Sequence, residues 1–289
     1  MRIPYFPGCT LHAKATELDR SARLSAELLG IRFVELSTWS CCGASFPTIG
    51  GNLMTLASPV RALAQAYREG GSLITLCAIC YNVLKRANHL VATDPDSQKK
   101  LAMFTDEDYA GETRVVHLLE LIRDDVGLGN LVARLATSMK GLRVAPYYGC
   151  MLLRPKKEIG LDDPDRPQIL EQFLEALGCE VVDFPHKTEC CGSFLSVSAE
   201  AVATEVSRQI IDSASGRGAQ AIVGTCPLCQ FNLDNRQREM SARCKGFRRV
   251  PIFYFTELLA LGLGTDEAVT GMDRHFVDPR PVLSERGVI

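Results

Sequence analysis

The sequence lacks a dominant charge. Its 32 Lys and Arg residues stand against 34 Asp and Glu, a formal net charge of −2, so neither nucleic acid nor an anionic membrane surface is expected as a partner. Long hydrophobic runs are missing as well. The longest apolar stretch, Val250 to Gly264, is short for a bilayer span and contains Glu257, which argues against membrane insertion. Met1-Arg2-Ile3-Pro4 has no signal-peptide character, and the expected location is the cytoplasm. There is no P-loop, and Gly43 to Gly51 does not open a helix as a dinucleotide fingerprint would. A nicotinamide or flavin site in the chain itself is therefore not expected.

Cysteine, by contrast, is abundant, with twelve in the chain. Ten of them form one pattern written twice. In the first copy 31 residues separate Cys9 from Cys41-Cys42, and 34 more lead to Cys77-x-x-Cys80. In the second, 39 residues separate Cys150 from Cys190-Cys191, and 34 lead to Cys226-x-x-Cys229. A chain of this size does not need disulfide staples, and thiols in a reducing compartment stay free to bind a soft metal. Cys179 and Cys244 fall outside the pattern and read as small buried hydrophobes.

The repetition extends beyond the cysteines. Arg2 to Cys9 lines up with Arg143 to Cys150, Glu27 to Gly30 with Glu175 to Gly178, Leu73 to Cys77 with Ile222 to Cys226, and Val116 to Leu121 with Phe253 to Leu258. The halves are therefore placed at residues 1–140 and 141–289, matching a rough prior of ~150 residues per domain. Short apolar runs alternate with segments of helical periodicity. Strands are expected at Ile3–Phe6, Ile31–Leu36 and Ser72–Leu76, and again at Leu142–Tyr147, Glu180–Phe184 and Ala221–Gly224. Helices are expected at Leu18–Leu29, Ser58–Glu69 and Tyr81–Val91, and at Gln168–Leu177, Ala199–Ser215 and Phe231–Ser241. The fold class is α/β: two pseudo-symmetric domains, each a small parallel sheet flanked by helices.

In an open parallel sheet, ligands gather beyond the carboxyl ends of the strands. Cys9, Cys41, Cys42, Cys77 and Cys80 all follow expected strands, as do Cys150, Cys190, Cys191, Cys226 and Cys229, so each five-cysteine set can meet at one point. A structural zinc ion takes four ligands, and a cubane iron–sulfur cluster also takes four cysteines. Five per half exceeds both. The fifth is a spectator, or the site holds a larger iron–sulfur assembly in which one thiolate bridges. The spacing favours iron–sulfur over zinc.

With Cys41-Cys42-Gly43 and Cys190-Cys191-Gly192 at the centres of the two copies, the chain resembles the cysteine-rich CCG domain proteins. In having two full copies and no attached ferredoxin or flavin segment, it resembles the B subunit of heterodisulfide reductase. The resemblance covers nearly the whole chain. It implies two noncubane [4Fe-4S] clusters, one held by each five-cysteine set, and a disulfide cleaved or formed between them. It also implies, as electron donor, a ferredoxin-like C subunit. Beyond that it implies a flavin and iron–sulfur A subunit that bifurcates electrons, with a hydrogenase or formate dehydrogenase module behind them. The alternative is a non-catalytic electron relay in another oxidoreductase complex, such as a quinone-linked one.

Secondary features each carry two readings. Gly43, Gly50, Gly51 and Asn52 either present N–H groups to cluster sulfides or form an ordinary loop. Pro7-Gly8 and Gly149 let the backbone approach a cluster closely. Arg154, Lys156 and Lys157 read as a solvated basic run before a substrate-receiving one. His186 and Lys187 are candidate proton donors. Trp39 is expected to pack around a cluster, and His12 has no role. Ile252-Phe253-Tyr254-Phe255 is either a docking surface or core, and the tail after Asp266 either docks or is disordered.

Overall fold

The computed structural model describes residues 1–44, 51–265 and 271–289. The chain builds two four-stranded parallel sheets of the same topology. In the first, β1 (Arg2–Tyr5), β2 (Arg32–Glu35), β3 (Ser72–Thr75) and β4 (Arg114–His117) lie in the order β2-β1-β3-β4. In the second, β5 (Arg143–Tyr147), β6 (Glu180–Val181), β7 (Ala221–Gly224) and β8 (Ile252–Tyr254) lie in the order β6-β5-β7-β8. Parallel neighbours require a crossover, and helices such as Thr16–Leu28, Ala57–Arg68 and Ala78–Thr93 supply it in the first half. Ile169–Ala176 and Glu200–Gly216 do so in the second.

The two sheets differ in one respect that proline explains. In a parallel strand the N–H and C=O of a residue point to the same neighbour. Met1 O accepts from Arg32 N at 2.8 Å and Tyr5 O from Leu36 N at 3.1 Å. The odd residues of β1 thus face β2, and Pro4 faces β3. Having no N–H, Pro4 cannot donate there, and the register of β1 on β3 is the pair Tyr5–Ile74. In β5 the matching residues face the same way but the proline stands one place later: Leu142 O and Val144 O accept from Glu180 N and Val182 N at 2.9 and 2.8 Å. Pro146 therefore faces β6, and β6 stops at Val181 instead of running on to Phe184 as its sequence suggests.

The halves exchange helix contacts. Helix Thr16–Leu28 packs on Phe255–Gly262, and Ile169–Ala176 on Leu118–Leu121. Ser21 Oγ donates to Thr256 Oγ1 at 2.7 Å across this seam. Phe255 sits between Phe173 and His117, with ring centroids 5.8 and 5.6 Å away. Ile252, Phe253, Tyr254 and Phe255 are buried, which corrects the docking-surface reading of this segment. Full burial of each such Phe contributes roughly 1.5–3 kcal/mol. Residues 266–270 of the tail lie outside the described residues. From Gly271 on, the tail is clasped by Asp234, whose carboxylate accepts from Phe276 N at 2.7 Å and Val277 N at 3.1 Å. Among the described residues, no helix is long and apolar enough to cross a membrane.

Candidate metal centre

Each cysteine set is delivered by the carboxyl ends of its strands. Cys9 lies in the first turn of helix Gly8–Ala13, just after β1. Cys77 immediately precedes helix Ala78–Thr93, and Cys226 immediately precedes helix Pro227–Gln230. Cys80 and Cys229 therefore sit within first helical turns, one turn nearer the strand than the sequence reading placed these helices. The helix after Cys229 then loosens into a π turn at Phe231–Asn235, a distortion often found at functional sites.

The thiols form a line. Cys9 Sγ is 3.5 Å from Cys41 Sγ. Cys41 adjoins Cys42, whose Sγ is 3.4 Å from Cys80 Sγ. In the second half Cys191 adjoins Cys190, and Cys191 Sγ is 3.4 Å from Cys229 Sγ. The remaining patterned thiols lie near enough to shift one another's titration, Cys150 with Cys190, and, between the halves, Cys77 with Cys226. Every cysteine is a free thiol. Sequence spacing points to two sets; their nearness has no sequence signal.

Thiols donating along this line hold their acceptors down. Cys80 keeps Cys42 at about 7, and Cys150 keeps Cys190 at about 2. Cys229, then Cys77, hold Cys226 well below the usual thiol range. Such neighbours favour the thiolate in part of the set, the form that soft metals bind. Backbone N–H groups add to this: Gly43 N donates to Cys41 Sγ at 3.4 Å and Gly192 N to Cys190 Sγ at 3.3 Å. Gly8 and Gly149 occupy left-handed backbone positions against the thiols. A Cβ on Gly8 would lie 2.8 Å from Cys80 Sγ, and one on Gly149 3.3 Å from Cys229 Sγ. These are cradles for close approach, as their sequence context suggests.

Five free thiols per half, glycine cradles and N–H donors to sulfur suit an iron–sulfide core. Among the described residues, no three His, Cys, Asp or Glu side chains converge as a single-ion site; the thiols are strung in a row. Cys179 lies apart, where burial pushes its thiol up to about 12, as a packing residue would be.

Other expected features have more ordinary surroundings. Arg154 donates to Thr188 O at 3.0 Å and Pro164 O at 3.1 Å, and Lys156 pairs with Asp163 at 2.9 Å, so this basic run braces loops. Lys187 is held by Glu171 and Asp183, each at 2.9 Å, and His186 Nδ1 is buried without a hydrogen-bond partner. Neither belongs to the thiol line. Trp39 packs edge-on against Phe6 and His12, with centroids 5.6 and 5.8 Å away. Asn52 caps a short helix by accepting from Met54 N at 3.0 Å. Gly50 lies outside the described residues.

Sequence reasoning missed the cavity beside this line. It has a volume of about 420 Å³ and lies between the halves, walled by Cys9, Lys14 and Glu17 on one side and by Gln230, Phe231 and His275 on the other. His275 reaches it from the C-terminal tail, its Nε2 2.8 Å from Glu257 Oε1. Glu257 is wholly buried and also accepts from Tyr254 N at 2.8 Å. Burial opposes charge on His275, but Glu257, with Asp234 and Glu17, outweighs it and raises the imidazole to about 9.

The cysteine-rich CCG domain matches residues 3–85 and again 144–234. The chain belongs to the CCG family. A relative from Wolinella succinogenes, the 8-methylmenaquinol:fumarate reductase membrane anchor subunit, is 32% identical over 95% of this chain and 96% of its own length. A protein of Archaeoglobus profundus named as like the B subunit of heterodisulfide reductase is 29% identical over 97% of this chain and 96% of its own. The B subunit of the ferredoxin/F(420)H(2)-dependent CoB-CoM heterodisulfide reductase of Methanosarcina acetivorans is 26% identical over 96% and 94%. A solved structure, a hypothetical protein from Helicobacter pylori, superposes with a TM-score of 0.77 at 16% identity. It covers 95% of this chain, which spans about half (51%) of that longer protein, and the likeness is one of fold. Two CCG copies in a relative of heterodisulfide reductase subunits imply iron–sulfur clusters and support the role of an iron–sulfur subunit in an oxidoreductase.

Proposed function

We propose that the chain is the iron–sulfur subunit of a cytoplasmic heterodisulfide reductase-like complex, which cleaves or forms a small disulfide. Residues 1–140 and 141–289 are its two cluster-bearing domains. Cys9, Cys41, Cys42, Cys77 and Cys80 would hold one noncubane [4Fe-4S] cluster, and Cys150, Cys190, Cys191, Cys226 and Cys229 the other. When bound, these clusters would supply two adjacent one-electron centres, the number a disulfide bond needs. The observation that carries the reading is the matched placing of five free thiols beyond the carboxyl ends of the strands in each of two sheets of the same topology. The chain's own residues supply the thiolates, the Gly43 and Gly192 N–H donors and an interdomain cavity reaching Cys9. Electrons would come from the ferredoxin-like C subunit and the flavin and iron–sulfur A subunit of a bifurcating complex, with a hydrogenase or formate dehydrogenase module as their source.

Anaerobically purified protein should contain about eight iron and about eight acid-labile sulfide per chain. A disulfide added to the reduced protein should yield two thiols and alter the paramagnetic signal. Zinc in place of iron, or a signal and thiol yield indifferent to disulfide, would sink the proposal.

A second reading has its own support. The 32% identity to a membrane anchor subunit of a quinol-linked fumarate reductase favours an electron relay whose chemistry lies in a different protein of the complex. In that case a quinol, and not a disulfide, should change the redox state of the protein.

A further inference from the structure

The duplication is also broken just after each Cys-x-x-Cys, and there the cavity opens. Two residues after the second cysteine of each Cys-x-x-Cys stand Asn82 and Phe231. Asn82 closes its side of the molecule: its Nδ2 donates to Met151 O at 2.7 Å and Arg154 O at 2.6 Å. These carbonyls belong to the loop that follows Cys150, so helix and loop are tied together. Phe231 has no amide with which to make such a tie, and it stands half-exposed on the wall of the cavity. One residue earlier the pair is Tyr81 and Gln230. Tyr81 reaches Glu120 Oε2 with its hydroxyl at 3.0 Å. The shorter Gln230 does not reach the corresponding Glu257, and His275 bonds that carboxylate instead.

Two polar atoms in the cavity wall await a donor. Glu17 and Gln230 are each only 8% exposed. Glu17 Oε2 and Gln230 Oε1 have no hydrogen-bond partner among the described residues. Arg274 is 3.6 Å from Glu17 Oε2, an ion pair without a hydrogen bond. Gln230 donates from Nε2 to Ile252 O at 2.7 Å, which orients the amide and leaves Oε1 free. A buried acceptor without a donor is costly, more so if charged, so both atoms favour a ligand carrying N–H groups. Lys14, on the same side as Glu17 and exposed, adds a positive charge to the lining.

We propose that this cavity binds one half of a disulfide of the amino-acid type, its ammonium received by Glu17 and Gln230 and its carboxylate by Lys14. The assignment rests on the disulfide reading above and narrows its substrate to small molecules carrying both charges. Glu17 and Lys14 act as specificity-determining residues.

Three matched probes test it: cystine, cystamine, which lacks the carboxylates, and 3,3′-dithiodipropionate, which lacks the ammonium groups. Binding is measured by anaerobic equilibrium dialysis against the oxidised, cluster-loaded full chain, in which nothing is cleaved. Cystine should bind about tenfold or more tightly than either truncated probe, the worth of one charged hydrogen bond. Glu17→Gln should abolish the preference over dithiodipropionate and spare that over cystamine. Lys14→Gln, at the surface, should do the reverse, with unchanged melting as the control for folding. Equal binding of the three probes, or variants that leave their order intact, overturns the cavity assignment. Cleavage by reduced viologen is followed in parallel. Cleavage of all three with equal apparent affinity overturns the assignment but keeps the disulfide reading, whereas neither binding nor cleavage of any overturns both.

Discussion

Cys77 and Cys226 hold matching places in the two halves and lie near enough for each to shift the other's titration. Each ends a loop leaving an inner strand, β3 or β7, and each leads directly into a helix. The pseudo-symmetry thus pairs like with like at the centre of the molecule. Metal groups held by the two sets would then be expected to interact magnetically. Cys226→Ser should lower iron to about half of that of the parent, the share of one of two equivalent clusters, and should remove spin–spin broadening from the reduced spectrum. Cys179→Ser should leave both unchanged. Iron analysis with electron paramagnetic resonance checks the pair, and unaltered iron in Cys226→Ser would count against a ligand role.

Gly8 tests the cradle. Its φ is +75°, and a Cβ there would meet Cys80 Sγ at 2.8 Å. Gly8→Ala meets both the left-handed penalty, ~1–2 kcal/mol, and a contact too short to keep. The expected outcome is a loss of roughly 2–3 kcal/mol in stability together with reduced iron content. Gly149→Ala, with 3.3 Å to Cys229 Sγ at φ +64°, should show the same strain with a smaller loss of iron. Denaturant melts and iron assays on both variants check the order; equal iron loss would mean that backbone strain alone is responsible.

What could be read in the sequence is what repeats. The duplication, the strand positions and both cysteine sets follow from local patterns that occur twice, and the structure has a strand at or beside each expected segment. Legibility fails where the copies differ. Pro4 and Pro146 fall on opposite phases of otherwise matched strands, and the shortening of β6 depends on which neighbour a missing N–H would have faced. The aromatic run Ile252–Phe255 looks equally at home on a surface or in a core until helix Thr16–Leu28 covers the helix it leads into. The cavity draws Glu17, Gln230 and His275 from three remote segments. Glu17 looks like a first-turn helix acid, and its orphaned oxygen becomes visible only once its neighbours are in place.

The His275–Glu257 pair predicts an alkaline limit. The imidazole titrates at about 9 in the folded chain against an ordinary 6.5. A raised folded value means that its stabilisation is complete below pH 6.5 and is lost as pH rises through about 9. The tail from Gly271 onward should therefore loosen over that interval. Limited proteolysis at stepped pH should show faster cleavage in the tail toward pH 9, whereas His275→Gln should be cleaved readily at every pH, with little slope. A parent protein whose tail resists equally at pH 6.5 and 9.5 would contradict the pairing.

Asn82 is the sharpest test of the asymmetry between the two sides. Its side chain is buried and donates to two carbonyls of the opposite half, Met151 O and Arg154 O. Asn82→Leu would leave both carbonyls without this donor, and each orphaned buried acceptor costs about 1–3 kcal/mol, so a loss of ~2–5 kcal/mol is expected. Phe231→Ser, at the matching position but half-exposed, should change stability by roughly 0.5 kcal/mol or less. If the closed side is held by the amide and not by surrounding packing, Asn82→Leu should also speed hydrogen exchange in the loop after Cys150 while leaving the helix Gly8–Ala13 unaffected. Equal destabilisation by the two substitutions would show that the sides are held alike and that the cavity is not a product of this one replacement.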